Sequence, residues 1–246
     1  MTAGAAGLDQ PWQVGVIVPA RDEEARIGRA LRAIGRAAKV ACAGRPGTSV
    51  TVHVVLDACS DRTAEIVAAH PRVRAVTVRT GRVGSARAAG VEDFAQLVLD
   101  PRRAWVANTD ADSEVPVEWL LAHLSAADAG YAMVAGTVVF DLVEAGPELR
   151  VAIAEDSDPP ADGHDHVYGA NLGLTLAAYR VLGGFADVRA HEDVTLVHAA
   201  RAAGLPVLAS GSAPVLTSPR LRGRAPEGVA AYLRNLLDGQ DEAVAT

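Results

Sequence analysis

Between residues 14 and 140 the chain alternates short, mainly apolar runs with segments of helical period, and that alternation confines it to layered α/β architectures. The apolar runs are VGVIVP (14–19), VTVHVVL (50–56), VRAVTVR (73–79), AWVAN (104–108) and YAMVAGTVVF (131–140). Runs this short and this rich in Val read as strands buried on both faces, as in parallel sheets covered by helices. The segments between them read as those helices. The first carries Ile27, Leu31, Ile34 and Ala38 on one face, with Asp22 placed to cap it and Glu23 and Glu24 in its first turn. Another opens at Pro116, buries Val117, Leu120, Leu121 and Leu124, and stops at Gly130. In parallel sheets of this kind, ligands bind beyond the carboxyl ends of the strands.

The second half reads differently. Residues 141–167 contain the acidic, Pro-bearing stretch AEDSDPPADGHDH, expected as a mobile loop flanking a short helix. A helix near 192–203, two short apolar runs and an amphipathic helix at about 226–238 follow. With 246 residues, half of them hydrophobic, the chain can bury one sizeable core, and a single domain over 1–246 is expected. No stretch approaches the ~20 apolar residues of a membrane span, and MTAGAAGLDQPW lacks a signal pattern, so a soluble, cytoplasmic protein is expected. Cys42 and Cys59 have no metal or disulfide spacing and read as small core residues. A formal net charge of −7 argues against nucleic acid as a partner and requires a local cation wherever phosphate binds; homo-oligomer formation is left open.

The informative residues leave the strand ends. The first strand delivers PARDEE, the second delivers Asp57 in LDACSDRT, and the third runs into TGRVGSAR. The fourth delivers WVANTDADSEVP, with Asp110, Asp112 and Glu114 within five positions. Two carboxylates ~6 Å apart repel by about 3 kcal/mol at an effective dielectric of ~20 and by well under ~1 in open water, so this group is either solvated or cancelled by a cation. Acids, arginines and glycines converging on one sheet edge suit a nucleotide with a divalent cation. Each piece alone is weak. Asp-x-Asp recurs at Asp156 and Asp158 in the Pro-bearing loop, where it reads as solvated; Ser60 or Asp61 reads as a helix cap; Gly81 and Gly84 form neither GxGxxG nor a Walker loop. Downstream, Glu192 and Asp193 open a helix, where the dipole stabilises carboxylates and keeps one ionised to accept a proton. Arg220, Arg222 and Arg224 form either a solvated turn or a clamp on phosphate oxygens.

Taken in order, VIVPARDEEARIGRAL, VVLDACSDRTAEIV, ANTDADSEVPVEWL, GANLGLTLAAYRVLGGF and HEDVTLVHAARAAG resemble the family 2 glycosyltransferases over nearly the whole chain. The resemblance implies a GT-A, Rossmann-like α/β domain: a mostly parallel central sheet with helices on both faces, a nucleotide-sugar-binding half (13–140) and an acceptor-binding half (141–246). It implies a nucleotide-diphosphate sugar donor, magnesium or manganese as divalent metal, a hydroxyl acceptor, and inversion at the anomeric carbon. By the same resemblance Pro19, Ala20 and Glu23 meet the nucleoside, Asp57 the base, and Arg82 and Arg87 the phosphates. Asp110 lies near ribose and metal, Asp112 ligates the metal, and Gly169 and Asn171 line the donor sugar or acceptor. Asp193 is the catalytic base, with Glu192 as the rival carboxylate.

Two places depart from the family's pattern: Ala58 and Cys59 replace a common Gly after the second-strand acid, and Asp22 stands for a frequent Asn. No run of membrane helices follows, which points to single transfer onto a soluble or peripheral acceptor rather than polymer extrusion. Two other readings stand beside this one. A nucleotidyltransferase shares such a sheet but ordinarily has a glycine-rich, basic first loop, where this chain has PARDEE. A non-catalytic sugar-nucleotide binder would be expected to lack Asp112 or Asp193.

Overall fold

The computed structural model describes residues 11–156, 161–221, 223 and 228–244. Its first three strands, β1 (Gln13–Ala20), β2 (Ser49–Asp57) and β3 (Val73–Val78), run parallel to one another, and β4 (Ala104–Asn108) joins the far side of β1 in the same direction. The four expected strand ends therefore do converge on one edge. Each crossover is helical: α1 (Ile27–Gly44), α2 (Thr63–Ala68) and α3 (Val83–Ala95).

β1 shows why both faces are covered. Val14, Val16 and Val18 pack into one core with Ile27, Leu31 and Ile34 of α1, while Ile17 points the opposite way into a second core with Val91 and Phe94 of α3. Gly15 lies on that second face, where a Cβ would fall 2.4 Å from the Phe94 ring. α4 (Trp119–Asp128) adds Trp119, Leu120 and Leu124 to the first core.

Beyond β4 the sheet changes direction. A two-residue strand β5 (Ser113–Glu114) follows the Asp110–Asp112 turn, then come β6 (Met133–Phe140), α5 (Pro147–Asp156), β7 (Leu172–Thr175), α6 (Leu176–Val181), α7 (Glu192–Ala202), β8 (Val207–Thr217) and α8 (Val229–Val244). The sheet order is β3-β2-β1-β4-β7-β6-β8-β5. β7 enters antiparallel between β4 and β6, β6 and β8 are parallel, and β5 pairs antiparallel with β8.

Several local expectations give way. Asp22 does not cap α1, which begins at Ile27; its carboxylate accepts from the Ser60 and Asp61 amides instead, tying the first loop to the second. Pro116–Glu118 form a turn ahead of α4, so Val117 is exposed and Trp119 takes the buried place. Cys42 lies on the exposed side of α1 and Cys59 is only half-buried. The two apolar runs after α7 merge into the single strand β8, and the last helix begins at Val229, with 224–227 outside the described residues. The expected loop after α5 likewise lies partly outside them, at 157–160.

Candidate active site

At the carboxyl edge of β1, β2 and β4, the first loop returns Glu23 to the interior, its amide donating to Thr63 Oγ1 at 2.7 Å. Pro19 and Ala20 close β1 beside it. Asp57, at the end of β2, is buried and accepts from the Thr80 amide (2.7 Å), the Thr80 hydroxyl (2.9 Å) and the Gly81 amide (3.1 Å). Its carboxylate thus folds the 80–82 turn, and Gly81 holds the φ of +67° that this turn needs.

The Asp110–Asp112 turn is fixed by what comes after it. Ser113 pairs with Thr217 of β8, and the Ser113 hydroxyl bonds that of Thr217 at 2.9 Å. This register carries the chain leaving β8 back over the turn, where Arg220 donates to Glu23 Oε1 at 2.7 Å and pairs with Asp112 Oδ2 at 3.0 Å. Burial pushes the Asp112 carboxyl up to about 6, with Arg220 acting against that and Asp110 and Glu23 adding to it. Arg220 was expected as a solvated turn or an open clamp; it is instead clasped by two acids more than 100 residues away in sequence. Arg222 and Arg224 lie outside the described residues.

A second arginine organises the other flank. Arg87, buried in α3, donates to the Gly169 carbonyl and to Asp110 Oδ1, both at 2.6 Å, and its Nε lies 3.6 Å from Glu192 Oε1. A Cβ on Gly169 would fall 2.3 Å from the guanidinium, so the close approach demands glycine. The Gly169 amide in turn donates to Asp193 Oδ2 at 2.6 Å, while Asp193 Oδ1 accepts from the Val194 amide at 2.8 Å. One chain of contacts thus joins Asp110, Arg87, Gly169 and Asp193. Glu192 is buried beneath it, its carboxyl raised by burial against the pull of Arg87, and it packs on Gly84, where a Cβ would lie 3.0 Å from that of Glu192. Asp193 is half-buried at the surface of the same turn.

Two residues expected at the ligand are placed otherwise. Asn171 is 1% exposed, and its amide is fully engaged: Oδ1 accepts from Trp119 Nε1 (2.8 Å) and His123 Nε2 (3.1 Å), and Nδ2 donates to the carbonyls of Thr137 (2.9 Å) and Ala213 (3.2 Å). It supports the floor under Gly169 rather than lining an opening. Arg82 reaches back to Asp187, donating to its carbonyl and pairing with its carboxylate, both at 2.9 Å. Neither Asp187 nor Thr80 stood out in sequence, because each acts on a partner that only the fold brings near.

Backbone strain marks the same edge. Among the described non-glycine residues, Asp22 (φ +49°), Ala58 (φ +53°), His191 (φ +63°) and Ala213 (φ +54°) are left-handed; the first three adjoin the site acids Glu23, Asp57 and Glu192, and Ala213 lies in β8. Asp and His tolerate this region better than Ala does, so the residue replacing a family glycine stands where glycine is most wanted.

Among the described residues, no three His, Cys, Asp or Glu side chains converge as a metal cage. Asp110 and Asp112 offer hard carboxylate oxygens from one turn, which fits a cation of the magnesium or manganese type that completes its shell with phosphate oxygens and water.

The sequence model of glycosyl transferase family 2 matches residues 15–166. Among curated proteins, none matches this sequence. Solved structures agree in fold. S. aureus TarS 1–349 superposes with a TM-score of 0.60 at 15% identity, over 92% of this chain and 69% of that one. A mannosyltransferase from Pyrobaculum calidifontis, in complex with GDP-Man and Mn2+, gives 0.57 at 22% identity, over 88% of this chain and 60% of its own. Glucosyl-3-phosphoglycerate synthase from Mycobacterium tuberculosis, in complex with Mn2+, UDP and glucosyl-3-phosphoglycerate, gives 0.54 at 15% identity, over 92% and 77%. The described residues contain no helix long and apolar enough to cross a membrane.

Proposed function

Because the chain belongs to glycosyl transferase family 2, we propose that it moves a sugar from a nucleotide-diphosphate sugar to an acceptor hydroxyl with inversion, aided by magnesium or manganese at Asp112 and Asp110. In this reading residues 13–140 serve the donor and 141–246 the acceptor. The observation that carries it is the two-sided edge: Asp112 with Glu23 and Arg220 on one flank, Asp193 on the other, joined through Asp110, Arg87 and Gly169. The structural relatives in complex with Mn2+ and GDP-Man, and with Mn2+ and UDP, lend it support.

Each residue then has a physical task. Asp57 holds the 80–82 turn against the nucleoside, with Pro19, Ala20 and Glu23 forming the wall opposite. Asp112 and Asp110 hold the cation, which when bound neutralises the carboxylates and stabilises the departing diphosphate. Arg87 keeps Asp110 oriented and fixes Gly169. Asp193 takes the acceptor hydroxyl's proton from the face opposite the leaving group, as a single displacement requires. Each of its oxygens accepts one backbone N–H and keeps a lone pair for the proton. Glu192, buried under Arg87, is poorly placed for that exchange.

Incubation with a panel of nucleotide sugars and manganese should release nucleoside diphosphate; release of pyrophosphate from triphosphates would mark a nucleotidyltransferase instead. Asp193→Asn should slow transfer by about 100-fold or more while donor affinity stays near wild type. Normal transfer by Asp193→Asn alongside a dead Glu192→Gln would move the base to Glu192. Nucleotide affinity that is the same in chelator as in manganese would remove the metal from the reading.

A further inference from the structure

Arg220 and the proposed metal make the same demand on Asp112. The Asp112 side chain is 8% exposed, and among the described residues its one salt-bridge partner is Arg220. The guanidinium spans Glu23 and Asp112 with one Nη on each, so it already occupies the Asp112 carboxylate that a divalent cation would take. Among the described residues both of its ion-pair partners are side-chain carboxylates, and its own side chain is 29% exposed. Its attachment is therefore electrostatic and reachable by solvent.

The geometry points to Arg220 as an exchangeable internal counter-cation, which covers Asp112 and Glu23 until a divalent cation takes Asp112 and then turns its guanidinium to the donor diphosphate. This rests on the reading that Asp112 holds the metal. Charge bookkeeping explains the exchange. A cation arriving at Asp112 repels the arginine already there, so metal alone binds against Arg220. A diphosphate arriving with the metal adds negative charge that a freed fork of N–H donors can bridge, so metal and nucleotide together bind with Arg220's help. The β5–β8 pairing keeps the arginine within reach of both states, because it fixes where the chain leaves β8.

The two limbs have opposite signs, which makes the test sharp. In the full chain, Arg220→Gln should bind Mn2+ alone about tenfold more tightly than wild type, read from the free-ion signal in electron paramagnetic resonance. The same variant should bind UDP or GDP in saturating Mn2+ about tenfold more weakly by calorimetry. Unchanged or weaker Mn2+ affinity in an Arg220→Gln protein with wild-type circular dichroism overturns the exchange, and unchanged nucleotide affinity overturns the turn toward diphosphate. A second measurement needs no stable variant: in wild-type protein titrated with Mg2+, one guanidinium resonance should shift as the ion saturates, and a spectrum that does not move overturns the proposal. Asp112→Asn separates the two readings. If it binds Mn2+ like wild type, the metal assignment has failed; if it loses Mn2+ while Arg220→Gln is unchanged, the exchange alone has failed.

Discussion

Arg87 and Arg220 each face two carboxylates at the carboxyl edge of one sheet, yet they are held in opposite ways. Arg87 is 3% exposed, donates to a backbone carbonyl, stands beside the Phe185 ring and is crowded by Gly169. Arg220 is 29% exposed, and its paired groups are both side chains. The difference teaches which cation is scaffold. A guanidinium locked to backbone and buried among acids cannot leave without uncovering their charges, whereas one held by carboxylates at a solvent boundary can be traded for another cation. Arg87, expected from the resemblance to meet phosphate, is thus better placed to position Asp110 and Gly169 than to bind ligand.

The largest effect that would sharpen this contrast is on stability. Arg87→Met should cost about 3–5 kcal/mol in urea unfolding, because Asp110, Glu192 and the Gly169 carbonyl lose their shared partner. Arg87→Lys should recover only part of it, since an ammonium cannot reproduce the fork. Arg220→Gln should cost less than Arg87→Met, since its guanidinium touches solvent and, among the described residues, holds no backbone carbonyl, though it still takes a partner from Asp112 and Glu23. Equal costs at the two positions would erase the distinction between scaffold and exchangeable cation.

The locked flank continues downward into a buried polar layer, and pH probes that layer. His123 is buried with Nδ1 accepting from the donor-only Trp105 Nε1 at 3.1 Å, so Nε2 carries the proton that Asn171 accepts. Burial lowers His123 from 6.5 to about 4. The folded state therefore refuses a proton that the unfolded chain accepts. Above the unfolded value this has no effect; as pH falls from 6.5 toward about 4, stability is progressively lost. The loss should approach about 3 kcal/mol over that window. His123→Gln should flatten the slope of unfolding free energy against pH; an unchanged slope would place the acid sensitivity of this flank elsewhere.

The contrast between flanks also decides what the sequence could reveal. The parallel strands β1 to β4 were legible because burial on both faces writes itself as apolar runs, and the acids at their ends follow directly. β7 was not legible: LGLT is too short to show a period, and its antiparallel place between β4 and β6 depends on strands far away in sequence. Site residues were legible as types at strand ends, but their partners were not. Nothing near Arg220 in sequence announces Glu23 or Asp112, and nothing near Asn171 announces Trp119 and His123. Asp22 shows the same limit, because its local option as a cap lost to the Ser60 and Asp61 amides across the sheet edge.

The smallest effect tests the backbone of the exchangeable flank. Ala58 follows Asp57 at φ +53°, in a region where a Cβ crowds the following carbonyl oxygen, and it occupies the place where the family resemblance anticipates glycine. Its amide bonds the Val78 carbonyl at 3.0 Å, so neighbouring strands hold the conformation despite its cost. Ala58→Gly relieves that cost while adding freedom to the unfolded chain, and the two terms oppose each other. Relief of a left-handed alanine is worth about 1–2 kcal/mol and the added freedom costs about 0.5–1, so the variant should be more stable by up to about 1.5 kcal/mol. Urea unfolding of the two proteins would measure it. A less stable Ala58→Gly would mean that the alanine methyl makes packing contacts outweighing its strain, and the strained edge would then be a packed feature of this flank. A more stable variant with unchanged nucleotide affinity would show that the strain is not needed for binding. If instead the variant gains stability and loses affinity, the left-handed turn at Ala58 is what holds Asp57 and the 80–82 turn in register for the nucleoside.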